Sequence, residues 1–192
     1  PDKMMGIWRE VFLTRSGEVS LRRPFVASKL DAGLKTAALT VTADLRNLSG
    51  HSVQGILRAE IENIKVRQPV TLASSETKSV RFTPEQFPQL RIANPRLWWP
   101  YQMGEPNLYS AKLSFEIGGQ VSDSANMNFG IREVTSEFTA KGHRLFKVNG
   151  RPVLIRGAAW AGDMFLRWSS QRLDADLAYV RDMGLNAIRL EG

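Results

Sequence analysis

Apolar and polar side chains alternate along most of the chain between about residues 8 and 138. Leu39, Val41, Ala43 and Leu45 are interleaved with Thr40, Thr42, Asp44 and Arg46. Successive side chains of a strand point to opposite faces, so this run predicts a strand with one buried face. Asn47-Leu48-Ser49-Gly50 has the composition of a turn. Val53, Gly55, Leu57, Ala59 and Ile61 then resume the alternation, and Val80 and Phe82 sit in a shorter run that stops at Pro84. Tyr109, Ala111, Leu113, Phe115 and Ile117 form the cleanest alternation. Gly118 and Gly119 can both adopt positive φ, which predicts a two-residue hairpin turn. Val121, Ala125, Met127, Phe129 and Ile131 carry the apolar face of the returning strand. Short strands at regular spacing, each with one apolar face, predict an antiparallel β-sandwich.

Five of the nine prolines fall between Pro84 and Pro106. Proline offers no N–H to a ladder, so an irregular crossover is expected there, centred on Leu97-Trp98-Trp99-Pro100. Trp98 and Trp99 have two readings. They form a platform on which sugar rings stack, or they anchor the loop by packing beneath it; the packing reading fits the frequency of buried Trp better.

After residue 138 the pattern changes. Lys147-Val148-Asn149-Gly150-Arg151-Pro152 holds a turn. Val153-Leu154-Ile155 is an unbroken apolar run closed by Gly157, which predicts a strand buried on both faces, as in a parallel sheet. An irregular loop is expected over 158–168. A helix follows from Ser169 or Ser170 to Met183, capped by serine, with Leu173, Leu177 and Val180 as its apolar stripe and Gly184 as a left-handed C-cap. Asn186 to Leu190 reads as a second buried strand. One strand–helix–strand unit cannot cover both faces of its own sheet, so further units are expected after residue 192. Until they are in place, the exposed faces are expected to drive dimerisation.

Composition narrows the chemistry. The 192 residues include no cysteine, which removes disulfides, thiolate metal sites and cysteine nucleophiles. The two histidines, His51 and His143, lie far apart, and no metal or other cofactor is expected. Twenty-six Lys and Arg against 19 Asp and Glu give a formal net charge of +7. The basic residues are scattered, Arg22-Arg23 being the densest pair, so no nucleic-acid partner is expected. No apolar run reaches the roughly 18 residues of a membrane span, and no membrane partner is expected.

The second half resembles glycoside hydrolase family 2. The likeness rests on an ordered set: Phe129-Gly130-Ile131-Arg132, then Val148-Asn149-Gly150-Arg151-Pro152, then Leu154-Ile155-Arg156-Gly157, then Met183-Gly184-Leu185-Asn186-Ala187-Ile188-Arg189. Gly6-Ile7-Trp8-Arg9-Glu10-Val11 resembles the family's exit from its N-terminal jelly-roll sugar-binding domain. The resemblance implies a mainly β chain, an immunoglobulin-like antiparallel β-sandwich followed by a β-α-β piece of a TIM barrel. Residues 1–10 would be the jelly-roll exit, 11–138 the sandwich, and 139–192 the first two strands and first helix of the (β/α)8 barrel. Gly162-Asp163-Met164-Phe165-Leu166-Arg167-Trp168 and Asn186-Ala187-Ile188-Arg189-Leu190-Glu191-Gly192 are similar to the exo-β-D-glucosaminidase branch, which releases glucosamine from chitosan oligosaccharides. β-Galactosidase-like relatives differ after barrel strand 1, where this chain has Ala158-Ala159-Trp160. β-Mannosidases differ at Leu190-Glu191-Gly192. Either of these classes, or a free-standing carbohydrate- or protein-binding sandwich, is the other reading. The strand–helix–strand tail argues against the last.

Family members retain anomeric configuration with two carboxylates, an acid/base and a nucleophile. The resemblance puts both beyond residue 192, so no catalytic residue is expected in this chain. It implies supporting residues at the C-terminal ends of the first strands, where barrel sites form. Arg189 would hold the nucleophilic carboxylate ionised, or would only be neutralised inside the barrel. Glu191 would select the ammonium at carbon 2 of β-linked glucosamine, or would pair with an arginine. Asp163 and Arg167 would contact sugar hydroxyls or pair to stiffen their loop. Trp160 and Trp168 would wall the sugar site or pack in the core. A polymeric substrate implies a secreted or periplasmic protein.

Overall fold

Twelve-residue alternation is long enough to cross a domain and come out the far side, and the two longest strands of the protein have that length. A computed structural model describes residues 10–162 and 169–190. The chain divides into two units, Ser16–Pro152 and a second one formed by Pro1–Arg15 and Val153–Gly192. In the first unit, β1 (Val19–Leu30), β2 (Thr36–Asn47) and β5 (Thr77–Phe82) form an antiparallel sheet, and the short β6 (Arg91–Ala93) pairs with the far end of β2. A second antiparallel sheet runs β4 (Ile64–Leu72), β3 (Val53–Ile61), β7 (Tyr109–Ile117), β8 (Gln120–Phe129). The inward side chains of both sheets form one core. Leu39, Val41 and Leu45 from β2, Leu57 from β3, Phe82 from β5 and Leu113 and Phe115 from β7 are fully buried. Burying each such side chain contributes about 1.5–3 kcal/mol, which is why the period-two pattern decides this half of the fold.

Gly118 and Gly119 form the expected turn with φ of +57° and +84°. The register of β7 and β8 slips beyond it: Phe115 faces Asp123, while Glu116 faces Val121. This bulge turns Val121 outward, where it is 58% exposed, so the apolar face of β8 starts at Ala125 rather than at Val121. The displaced residues do other work. Ser122 Oγ accepts from Val19 N at 2.9 Å and Asp123 Oδ2 accepts from Leu21 N at 2.7 Å. Leu30 N donates to Glu133 Oε1, and Ser28 Oγ donates to the Arg132 carbonyl. The free edge of β1 is thereby stitched to the other sheet by side chains.

The crossover carries a 3-10 turn at Pro88–Leu90 besides β6, and Leu97 bridges to Ile131. Trp98 and Trp99 are half-buried, each under a guanidinium: Arg132 stands 4.1 Å from the Trp98 ring centre and Arg151 4.8 Å from that of Trp99. These faces are occupied by the protein itself, which agrees with the packing reading. A small three-stranded sheet, β9 (Val134–Phe138), β10 (Arg144–Val148) and β11 (Arg151–Val153), follows. Its tight turn is Asn149-Gly150, with φ of +49° and +74°.

The second unit contains β12 (Gly157–Trp160), α1 (Ser170–Asp182) and β13 (Ala187–Leu190), and β12 and β13 pair in parallel. Ser169 caps the helix, accepting from Arg172 N at 3.2 Å. At its other end Gly184 has φ +71°, with Gly184 N bonded to the Arg181 carbonyl and Leu185 N to that of Val180. That pair of bonds satisfies the last turn in a Schellman motif. The first parallel strand is not Val153-Leu154-Ile155, as the apolar run suggested. Leu154 and Ile155 are 76% and 49% exposed, and the strand starts four residues later, over Gly157–Trp160. Residues 158–160, expected as loop, therefore belong to it. No helix among the described residues is long and apolar enough to cross a membrane.

Candidate functional site

Two of the residues singled out for chemistry, Trp160 and Arg189, fall toward the C-terminal ends of β12 and β13. In a parallel pair both strands end on the same side, and the ladder here sets Gly157 beside Ala187, Ala158 beside Ile188, Ala159 beside Arg189 and Trp160 beside Leu190. Asn186 fixes this register from below. Its Oδ1 accepts from Arg156 N and its Nδ2 donates to the Leu154 carbonyl, both at 2.9 Å, while its own N–H donates to the Arg156 carbonyl. Gly157 leaves room for the close approach of the two strands: a Cβ there would collide with the Ala187 carbonyl.

Trp160 is half-buried, and its indole Nε1–H donates to Asp176 Oδ2 of α1 at 3.2 Å. Trp160 therefore lies on the helix side of the pair. By alternation Ala158 shares that side, with Ile188 beside it, while Ala159 and Arg189 face the other way. The strand pair lines an open concavity of about 450 Å³ bounded by Ile155, Gly157, Ala158, Ala159, Ala187, Ile188 and Arg189. Its lining is apolar apart from Arg189. A guanidinium at this strand end suits the planar, two-point grip of a carboxylate.

Of the six candidate residues, Trp160 and Arg189 stand at the two strand ends, on opposite faces. Asp163, Arg167, Trp168 and Glu191 lie outside the described residues. Two positioning residues escaped the sequence reading: Asp176, which holds Trp160, and Asn186, which clamps the strand entry. A polar residue between a Gly C-cap and an apolar strand was the available signal for Asn186. Nothing in the pattern marked Asp176 off from the other polar residues of its helix.

The sequence profile of the Glycosyl hydrolases family 2 matches residues 19–132. The exo-beta-D-glucosaminidase of Streptomyces avermitilis is 44% identical over 193 residues, an alignment that takes in 100% of this chain and 21% of that protein. That of Amycolatopsis orientalis is 41% identical, over 100% of this chain and 18% of that protein. The crystal structure of the Amycolatopsis orientalis exo-chitosanase CsxA superposes with a TM-score of 0.89 at 39% identity, covering 98% of this chain and 22% of that one. The chain belongs to glycosyl hydrolase family 2. It spans about a fifth of the length of the curated relatives it matches.

Proposed function

We propose that this chain is the sandwich and the opening strand–helix–strand unit of the catalytic barrel in a retaining exo-β-D-glucosaminidase acting on chitosan oligosaccharides, in a secreted or periplasmic setting. The observation that carries the reading is the alignment of the entire chain, tail included, with enzymes of that name. The sandwich is of the immunoglobulin-like kind, and β12 and β13 are barrel strands 1 and 2. On this reading the acid/base and nucleophile stand on later strands, outside residues 1–192, with their carboxyl groups about 5–5.5 Å apart. Arg189 reaches the nucleophile from the neighbouring strand end. It favours the ionised carboxylate and fixes its direction of attack. Glu191, two residues on, accepts a hydrogen bond from the substrate ammonium; Asp163 and Arg167 meet sugar hydroxyls, Trp168 walls the site, and Trp160, held by Asp176 of α1, takes the packing role.

The test uses the full-length enzyme on a β-glucosaminide and on the matching β-glucoside, which carries a hydroxyl at carbon 2. Glu191→Gln keeps the size and one acceptor but removes the charge. A charge-assisted contact contributes about 1.5–3 kcal/mol, so kcat/KM on the glucosaminide should fall roughly 10- to 150-fold and on the glucoside far less. The ratio cancels any general loss of geometry. Equal losses on both would make Glu191 a structural residue. Faster hydrolysis of a β-mannoside than of the glucosaminide would overturn the substrate assignment itself. The 192-residue chain should not hydrolyse a chromogenic β-glucosaminide; turnover that survives repurification and vanishes in Glu191→Gln would show that the chemistry lies elsewhere.

A further inference from the structure

We propose that the outer face of the β1–β2–β5 sheet is a binding surface for an acidic polysaccharide. The ladder registers lay out this face in rows. Ser20, Arg46 and Thr77 form one, Arg22, Asp44 and Ser79 the next, and Phe25, Thr42 and Arg81 the third. A bulge in β1 between Arg22 and Phe25 adds Arg23, whose φ of +48° throws its guanidinium back onto Asp44 at 2.5 Å. Four arginines thus surround one carboxylate.

Two features separate this face from an ordinary solvated one. The only acid in the cluster is taken by Arg23, and the side chains of Arg22, Arg46 and Arg81 make no hydrogen bond or ion pair among the described residues. Like charges on adjacent strands oppose sheet formation, so three unpaired guanidinium groups in neighbouring rows cost stability that an incoming anion would return. Ser20, in the row of Arg46, is 6% exposed, and its Oγ has no partner either, a polar group the fold leaves over. All four cations are arginines, whose planar fork matches carboxylate and sulfate groups at two points where lysine offers one.

The remaining positions choose a sugar polymer over other anions. Phe25 is 61% exposed beside Thr42, and Thr42 and Ser79 present hydroxyls between the guanidinium groups. A pyranose ring has an apolar face that stacks on an aromatic ring and hydroxyls that exchange hydrogen bonds with threonine and serine. An acidic sugar adds the oxyanion. Rows about 7 Å apart along the strands and strands about 4.8 Å apart place these three kinds of contact within one or two sugar units.

The experiment measures binding of the chain to dextran sulfate and to polygalacturonate at about 0.1 M NaCl, where charges further apart than roughly 10 Å are screened. Neutral dextran and polyglutamate are the comparison polymers. Exposed contacts of this kind are individually small, so Arg22→Gln, Arg46→Gln and Arg81→Gln together should raise Kd roughly 5- to 100-fold. Lys35→Gln, Lys112→Gln and Lys141→Gln remove the same net charge from exposed positions off the patch and should change Kd less than about twofold. Phe25→Ala should weaken binding to both acidic polysaccharides and leave that to polyglutamate unchanged. Unchanged melting of each variant excludes misfolding. Equal losses in the two triple variants would reduce the effect to net charge and overturn the proposal. So would failure of the native chain to bind either polysaccharide. Tight, Arg-dependent binding of polyglutamate without an effect of Phe25 would point to an acidic protein and overturn the choice of sugar. The strong form of dextran sulfate binding with none to polygalacturonate would assign sulfate rather than carboxylate sugars.

Discussion

Asn149 joins three separated segments. It is 2% exposed; its N–H donates to the Glu133 carbonyl, its Oδ1 accepts from Glu133 N at 2.9 Å, and its Nδ2 donates to the Trp98 carbonyl at 3.0 Å. The turn between β10 and β11, the exit of β8 and the tryptophan crossover are held together by one amide. The sequence marked Asn149-Gly150 as a turn, because asparagine tolerates positive φ, but a turn asparagine is usually exposed. Nothing local said that its amide would be buried against Trp98, fifty-one positions away. Asn149→Ala strands an N–H and a carbonyl and puts alanine at positive φ. It should cost about 2–4 kcal/mol, seen as a fall in melting temperature on the order of 5–15 °C. Asn149→Asp keeps the acceptor for Glu133 N but turns a second oxygen toward the Trp98 carbonyl, so it should be intermediate. A melting temperature unchanged in Asn149→Ala would show that the three segments are held by packing alone.

Elements built from period-two alternation were legible because burial on one face is a property of the run itself. β2, β3 and β7 all appear where Leu39–Leu45, Val53–Ile61 and Tyr109–Ile117 placed them. The helix appears over Ser170–Asp182, its ends marked by Ser169 and Gly184. Edge strands were harder to read, since their outer sides answer to neighbours that the run does not name. β1 carries Arg22, Arg23 and Pro24 in its middle, and β8 begins with a bulge that the alternation of Val121 with Ala125 hides. Those two edges meet through Ser122 and Asp123. Asp123→Ala removes the acceptor of Leu21 N and leaves part of the β1 edge unpaired. It should cost about 1–3 kcal/mol and raise the tendency to self-associate, because an unpaired edge is a template for another strand. Asp123→Asn retains an acceptor and should recover most of the loss. Chemical denaturation with light scattering reads both effects. Full stability in Asp123→Ala would mean that water replaces the carboxylate and that the edge needs no stitch. Val153-Leu154-Ile155 misled for the converse reason: an apolar run says that burial is wanted, not which three residues obtain the ladder.

At the scale of the molecule the two units differ in what they bury. Among the described residues, every buried apolar one lies between Val19 and Val148, whereas Leu154, Leu177, Tyr179 and Leu190 of the second unit are 76%, 54%, 68% and 76% exposed. Hydrophobic burial is what holds strands and helices together once propensity has suggested them. A helix of thirteen residues and two strands of four have little of it here, and short isolated helices are marginal in water. Amide hydrogen exchange of the isolated chain should therefore show strong protection in β2, β3 and β7. Exchange in β12, α1 and β13 should run faster by several orders of magnitude, at a rate set by local opening rather than global unfolding. Protection of the second unit that rises with protein concentration would show its apolar faces pairing between two copies, the dimer expected from exposed surface of this kind. If the unit opens a barrel, as proposed above, the same amides in a longer chain that carries the further strands and helices should be protected as well as those of the sandwich. Equal protection of the two units in the isolated chain, independent of concentration, would mean that the strand–helix–strand unit is stable by itself. The length of the relatives would then say nothing about why this segment folds.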